Sequence, residues 1–352
     1  MAFIGRYATK NNLVHSEGPR VYKEAQPNGQ SGNPDSCLAL AKRFSGDGKM
    51  TNVTWQGLII GLAAMVNLTV LATRAGPQQS PPMQNFPYSV KHIRGGVYWI
   101  VGGVGGNTGL IVGDNGVIVI DAKTTPDSAK EMLAEVAKVT PKPVTHVILT
   151  HSDGDHVDGL PAFPKGVTII AQEICKTDMQ KALSTPRGAG LADWLPAHTV
   201  KDKESIKIDG VHFTLLNFGP AHTTSDLVIY LPDQKIVFVG DLVELKFSYP
   251  FIHAEKNGSS EGWIRTMKAV LTLDADTFVP GHGEQVQSKA EVEKRTAAAI
   301  ERRAQIKEMI SAGKSLEQIK SALGETDEQF MVGTFKFASF TEVVYNELTK
   351  KN

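Results

Sequence analysis

A layered α/β fold, two sheets each faced by helices in an αβ/βα arrangement with a helical C-terminal extension, is predicted by three features of the sequence. Short apolar runs alternate with a helical period between Tyr88 and Ala171. A second group of apolar runs between Ser205 and Val239 falls into two hairpin patterns. The last 65 residues read as helix.

Val97–Val101 and Gly109–Val112 are β-rich runs separated by glycines, and Val117–Asp121 is an apolar strand ending in an acid. Asp127–Lys138 has helical spacing, with Thr125 or Asp127 as the cap. Val144–Thr150 and Val167–Ala171 are further buried strands. Ser205–Ile208 and Val211–Phe218 pair around Asp209-Gly210, a strong two-residue turn signal. Leu227–Leu231 and Ile236–Val239 pair around Pro232-Asp233. A helix over Gly262–Leu271 and a strand over Thr277–Val279 follow. The tail divides into helices over Lys289–Ala312, Ser315–Leu323 and Thr341–Lys350, and Ser315 with Gln318 makes a capping box.

Upstream, residues 1–49 show no sustained apolar period and read as disordered or as a mis-assigned start. Residues 50–75 contain the apolar stretch Leu58–Leu71, which reads as a signal peptide or, alternatively, a membrane anchor. Residues 76–87 are a Pro/Gln linker, residues 88–287 the main domain and residues 288–352 the extension. An exported protein, periplasmic or secreted, follows from the first alternative, and a membrane-anchored one facing outward from the second. The 37 basic and 37 acidic residues cancel and no basic stripe stands out, which argues against nucleic acid as a partner. Two cysteines, Cys37 and Cys175, cannot build a disulfide framework or a thiolate zinc site, and Cys175 reads as buried.

The chemistry concentrates after the strand at Val144. The run His151-Ser152-Asp153-Gly154-Asp155-His156 places four ligand-type side chains within six residues at a strand end. His222, Asp241 and His282 each lie close to glycine at the end of a later apolar run. Loops at strand ends on a rigid sheet are where catalytic groups collect. Imidazole nitrogen with carboxylate oxygen suits zinc, iron or manganese. His92, His146, His198, His212 and His253 read as structural, and Asp158 as a helix cap or surface acid. The glycine cluster Gly102–Gly109 lacks the spacing of a nucleotide loop, and no G-x-S-x-G element is evident.

This constellation resembles the metallo-β-lactamase superfamily, whose mark is H-x-H-x-D-H followed by a distant His, an Asp and a final His near glycine. The likeness runs over roughly Tyr88 to Glu284. It implies the four-layer metallo-β-lactamase sandwich and two divalent metal ions, zinc ahead of iron or manganese. It implies that His151, Asp153 and His222 hold the first ion, that Asp155, His156 and His282 hold the second, and that Asp241 bridges. Asp121 matches an acid that supports the loop from behind, and Asp155 is the expected proton handler.

The departure is Asp153, where most members have His. It makes the first half harder and more negative; a carboxylate at this place is also found in the flavodiiron branch. The implied activity is hydrolysis of a small-molecule lactam, lactone, thioester or ester by a metal-activated hydroxide. The alternative is a non-haem diiron redox protein acting on oxygen or sulfur species. Asp241 disfavours true β-lactamases, which usually carry Cys or Ser there. The loops around Trp194 and from Glu244 to Trp263 are expected to line the pocket; Phe247, Tyr249, Phe251 and Trp263 read equally as an aromatic wall or as core packing. The extension is expected to cap the site or form a homodimer contact.

Overall fold

The computed structural model describes residues 86–332 and 335–350. The signal peptide or anchor expected in residues 50–75, the reading of residues 1–49 and the linker up to residue 85 lie outside the described residues. Among the described residues, no helix is long and apolar enough to cross a membrane.

The first sheet holds seven strands in sequence order: β1 (Phe86–Arg94), β2 (Val97–Gly103), β3 (Thr108–Val112), β4 (Val117–Ile120), β5 (Val144–Ile148), β6 (Thr168–Gln172) and β7 (His198–Val200). Its pairs are antiparallel up to β4 and parallel from β4 to β7. Parallel neighbours need a crossover. Helix α1 (Pro126–Val139) makes the first, the short α2 (Gly154–Val157) lies in the second, and α3 (Glu173–Ala182) makes the third. The second sheet contains β8 (Lys203–Ile208), β9 (Val211–Leu216), β10 (Val228–Leu231), β11 (Ile236–Glu244), β12 (Thr277–His282) and β13 (Gln287–Ser288), in the order β13-β12-β11-β10-β9-β8. Helix α4 (Ser260–Val270) precedes β12; α5 (Lys289–Ser311), α6 (Leu316–Ala322) and α7 (Phe340–Thr349) follow β13. A small hairpin, β14 (Met331–Val332) and β15 (Phe335–Lys336), interrupts the helical tail.

Alternation along each strand sorts the core into layers. Ile118 and Ile120 of β4 meet Ile229 and Leu231 of β10 and Ile236 and Phe238 of β11 between the sheets. The intervening Val117 and Val119 face the other way, against Ala129, Met132 and Val136 of α1 and Cys175 and Met179 of α3. Val237 and Val239 turn outward onto Trp263, Met267 and Val270 of α4, together with residues of α5, α6 and α7. The molecule is therefore layered helix, sheet, sheet, helix, as the sequence predicts, and the C-terminal helices share the second outer core.

Local signals explain the ends of these elements. Thr125 caps α1 by accepting from Ser128 N, and Pro126 occupies the first turn, where its missing N–H is no loss. Asp209 (φ 48°) and Gly210 (φ 86°) form the expected β8–β9 turn, both in the left-handed region. The capping box at Ser315 and Gln318 is present, as are two others at Ser288/Glu291 and Ser339/Glu342. Cys175 is fully buried on α3, and burial pushes its thiol above the usual range. Trp263 is also core: it is 2% exposed and its indole N–H donates to Leu242 O at 2.9 Å. Its spacing with Met267 and Val270 is that of a buried helix face, so it is not part of a substrate wall.

Candidate metal centre

The expected ligand residues come from the ends of strands in both sheets, and the fold brings them together. His151 to His156 follow β5, His222 follows β9, Asp241 lies within β11 and His282 ends β12. Three groups of side chains place their ligand atoms within 4.8 Å of one another: His151, Asp153 and His222; His151, His156 and Asp241; and Asp155, His156 and His282. The first and third groups match the two halves expected from the sequence. Asp241 touches imidazoles of both: its Oδ1 lies 3.3 Å from His156 Nε2, and its Oδ2 lies 3.5 Å from His282 Nε2 and 3.9 Å from His222 Nε2.

Asp121 organises the loop from behind. Its Oδ1 accepts from Thr150 N at 2.8 Å; its Oδ2 accepts from Thr150 Oγ1 at 2.7 Å and binds His156 Nδ1 at 2.8 Å. Asp121 holds a left-handed φ of 64°, a strained value for a non-glycine residue that concentrates at functional positions.

These bonds also orient the rings. A carboxylate or carbonyl can only accept, so His156 Nδ1 donates to Asp121 and His222 Nδ1 donates to Phe251 O at 2.9 Å. Thr150 Oγ1 has already spent its hydrogen on Asp121, so it accepts from His151 Nδ1 at 3.0 Å. In the neutral ring each Nε2 then turns a lone pair inward, toward carboxylate oxygens. His151 Nε2 and Asp241 Oδ1 are buried with no hydrogen-bond partner.

Acceptors facing acceptors in a dry site need positive charge between them. The carboxylates and imidazoles also shift one another's protonation. Burial opposes charge on every group, yet opposite charges prevail. His151, His222 and His253 hold Asp153 well below the usual carboxylate range. His156 and His282 lower both Asp155 and Asp241. Against its burial, His222 is raised to about 9 by its hydrogen bond to Asp153 and by the charge of Asp241, and His282 is raised to about 10 by Asp241 and Asp155. The donor set of imidazole nitrogen and carboxylate oxygen therefore fits a divalent metal, which would supply that charge in place of protons.

The surroundings were less legible in sequence. The glycine-rich segment after β2 packs directly over the centre. Gly106 N donates to Asp155 O at 3.0 Å, Asn107 N to Gly281 O at 2.6 Å, and Asn107 Nδ2 to Pro280 O and Gly283 O. A Cβ on Gly106 would enter the His156 ring, and one on Gly281 would collide with the Asp241 carboxylate. Gly281→Ala is expected to fold but to lose about 10–100-fold in metal affinity, because it displaces Asp241. Metal retained after dialysis against graded chelator checks this; unchanged retention would contradict it.

Lys123 ties the same segment down. It is fully buried, with Nζ donating to Gly102 O at 2.8 Å and Gly106 O at 2.7 Å. Burial lowers its pKa to about 7, although Asp121 and Asp155 pull the other way. Below pH 7 the amine is charged folded and unfolded, and burial penalises the fold. Between about 7 and 10.5 the unfolded chain binds the extra proton, so rising pH favours the folded state. Wild-type stability relative to Lys123→Met is expected to rise across that window by up to several kcal/mol. Urea unfolding at both ends of the window measures it, and a flat difference would refute it.

His253, read as structural in the sequence, lies beside Asp153: Nδ1 is 3.0 Å from Oδ2. Lys256 Nζ is 2.6 Å from Asp153 Oδ1. Neither carries a motif. Of the expected aromatic wall, Phe251 borders the centre, its ring 5.3 Å from His222, and Phe247 packs on Phe251 at 5.7 Å. Phe330 and Phe337 of the C-terminal extension pack on Phe247 and Phe251. Tyr249 instead stacks on Phe340 and accepts from Arg302, anchoring the tail. Trp194 packs against the first outer core. Asp158 caps α2 and pairs with Arg187.

Comparison with known proteins supplies the context. Residues 101–282, more than half of the chain, match the model of the metallo-beta-lactamase superfamily. The chain is 28% identical over 279 residues to a 2,4-dinitroanisole O-demethylase subunit alpha from Nocardioides sp., covering 76% of this chain and 79% of that one. It is 23% identical over 217 residues to a linear primary-alkylsulfatase from Pseudomonas sp., covering 50% of this chain but 41% of that one. Among solved structures, the stereoselective inverting sec-alkylsulfatase Pisa1 from Pseudomonas sp. shares the fold with a TM-score of 0.59 at 19% identity, over 74% of this chain and 50% of that one. The chain belongs to the metallo-beta-lactamase superfamily, a family of metal-dependent hydrolases.

Proposed function

We propose that the protein hydrolyses a small ester-like substrate (an ester, thioester, lactone or lactam) that carries an apolar or aromatic group, using two divalent ions, zinc first. The observation that carries the reading is the convergence of both His/Asp groups on Asp241, with the Phe251 ring against His222 at the border of the centre. When bound, the metal would act as a Lewis acid and lower the pKa of water. His151, Asp153 and His222 would hold one ion, Asp155, His156 and His282 the other, and Asp241 would bridge them.

The chain's own groups then divide the work. Asp155 is the carboxylate best placed to handle a proton. Its side chain is 35% exposed, against 10% for Asp153 and 5% for Asp241, so a substrate can reach it. Its Oδ2 lies 3.0 Å from His282 Nε2, which fixes the carboxylate's orientation. Phe247 and Phe251, backed by Phe330 and Phe337, offer an apolar surface on one side. The names of the relatives, a demethylase of an aromatic ether and an alkylsulfatase, add aryl ethers and sulfate esters to the substrates worth testing.

The test is elemental analysis of protein purified without added metal, followed by turnover of nitrophenyl esters, thioesters, lactones, alkyl sulfates and a nitroaryl methyl ether. About two zinc per chain with turnover of one ester-like class supports the proposal. Two iron with no hydrolysis would replace it with the diiron redox reading.

A further inference from the structure

We propose that His253 is a metal ligand, the third imidazole of the half formed by His151, Asp153 and His222, and that Lys256 balances the charge Asp153 brings. This rests on reading the centre as metal-binding. At the position of Asp153 the resembled family has a histidine, so this half keeps only His151 and His222 from the usual loops. The structure returns an imidazole from elsewhere, the loop between β11 and α4.

Three imidazoles converge on one oxygen of Asp153. Asp153 Oδ2 lies 3.0 Å from His253 Nδ1, 3.2 Å from His222 Nε2 and 3.5 Å from His151 Nε2. Ligand atoms bound tetrahedrally to one ion at about 2.0–2.1 Å stand about 3.3 Å apart. The three contacts with Asp153 bracket that spacing; the rings of His222 and His253 have centroids 6.1 Å apart. In the metal-free chain His253 Nδ1 donates to Asp153 Oδ2; a bound ion would take that proton's place, with Glu255 Oε2, 3.4 Å from Nε2, near enough to accept the remaining ring N–H. Metal-bound histidines characteristically give their other N–H to a carboxylate or carbonyl, as His222 does to Phe251 O.

The ring is held by backbone. His253 N donates to His222 O at 2.8 Å, Ser259 N to Ala221 O at 2.8 Å and Thr224 N to Lys256 O at 3.2 Å. Gly258 packs so closely that a Cβ would collide with His222 O. The loop carrying His253 is thus stitched to the segment carrying His222.

Charge completes the exchange. Asp for His adds one negative charge, and Lys256 Nζ, 2.6 Å from Asp153 Oδ1, adds one positive. Lys256 also donates to Ser152 O at 2.8 Å and Ser152 Oγ at 3.0 Å. With Oδ1 occupied, Oδ2 is the oxygen left facing the three imidazoles.

The competing account is that His253 merely holds Asp153 by a hydrogen bond. His253→Asn separates the two, because the Asn amide keeps a donor close to the place of Nδ1. The full chain is loaded with cadmium ion of the NMR-active isotope, with histidines labelled at nitrogen. The expected result is two ions per wild-type chain and a one-bond cadmium–nitrogen coupling at Nδ1 of His253, besides couplings from His151, His156, His222 and His282. In His253→Asn, that coupling disappears and the weaker ion binds more than about 100-fold less tightly, beyond the loss of a mere positioning contact. The wild-type coupling needs no variant, so misfolding of His253→Asn does not remove the test. Two ions without a His253 coupling, or a variant that binds both as tightly as wild type, overturns the proposal and leaves the metal centre standing. One ion per chain also overturns it, since Lys256 then serves in place of the other. No ion at all refutes the metal reading itself.

Discussion

Replacing Asp241 with alanine is expected to lower kcat/KM by at least about a thousandfold, roughly 4 kcal/mol of transition-state stabilisation. Asp241 is buried, its Oδ1 has no hydrogen-bond partner, and its two oxygens lie within 3.9 Å of His156, His222 and His282. Neither Asp153 nor Asp155 is free to replace it. Asp153 is engaged by Lys256 and His253, and Asp155 faces His282 and His156 from the other side. Alanine would also leave three inward-turned imidazoles without the charge that balances them, so metal retention should fall with activity. Asp241→Asn keeps the shape and removes the charge, and should lose nearly as much. Kinetics, elemental analysis and a melting curve on both variants make the check. A variant that keeps its metal and a tenth of wild-type activity would remove Asp241 from the centre of the mechanism.

The candidate ligand residues stand out in the sequence because their positions follow local rules. Glycine beside a polar residue on an apolar run lets the backbone turn and the side chain reach the rim of a sheet: His151–His156 and His222 follow strands, His282 ends one, and Asp241 lies next to Gly240 within β11. The layers were readable for a similar reason: Val117 to Ile120 alternate between two cores, and a four-residue apolar run signals burial on both faces. His253 and Lys256 obey no local rule. They lie at a single 3-10 turn (Ala254–Lys256) in the long connection between β11 and α4, and their closeness to Asp153 depends on backbone bonds to residues about thirty positions earlier in the chain. A signal did exist for Lys256, since an extra acid in a metal-binding loop calls for a compensating cation, but sequence does not say which lysine answers. The glycine cluster after β2 was set aside because it failed a nucleotide-loop pattern; its role is close packing against His156 and Asp155, which composition alone cannot reveal. Trp263 is legible as core rather than wall, since its helical spacing with Met267 and Val270 marks a buried face.

Removing the metal should change how stability depends on pH. In the stripped protein, His222 and His282 are raised from 6.5 to about 9 and about 10, against their burial, by the carboxylates they face. Histidines raised in this way contribute stability that is complete below the unfolded value of 6.5 and is lost as pH rises through the folded values. The depressed carboxylates contribute stability that is lost only on acidification, well below this window. At about 1.4 kcal/mol per unit, the histidines make the stripped protein lose several kcal/mol between about pH 6.5 and 10. Metal binding displaces those same protons, so the stabilisation given by metal should grow over the range in which the stripped protein weakens. Lys123 acts in the opposite sense in both forms, and a bound cation beside Asp155 holds the Lys123 ammonium lower still, which adds to the widening. Urea unfolding of zinc-loaded and chelator-stripped protein across this range gives that difference directly. A gap that widens with pH supports protons and metal competing for the same imidazoles. A constant gap would mean that the metal, wherever it binds, does not bind at His222 and His282.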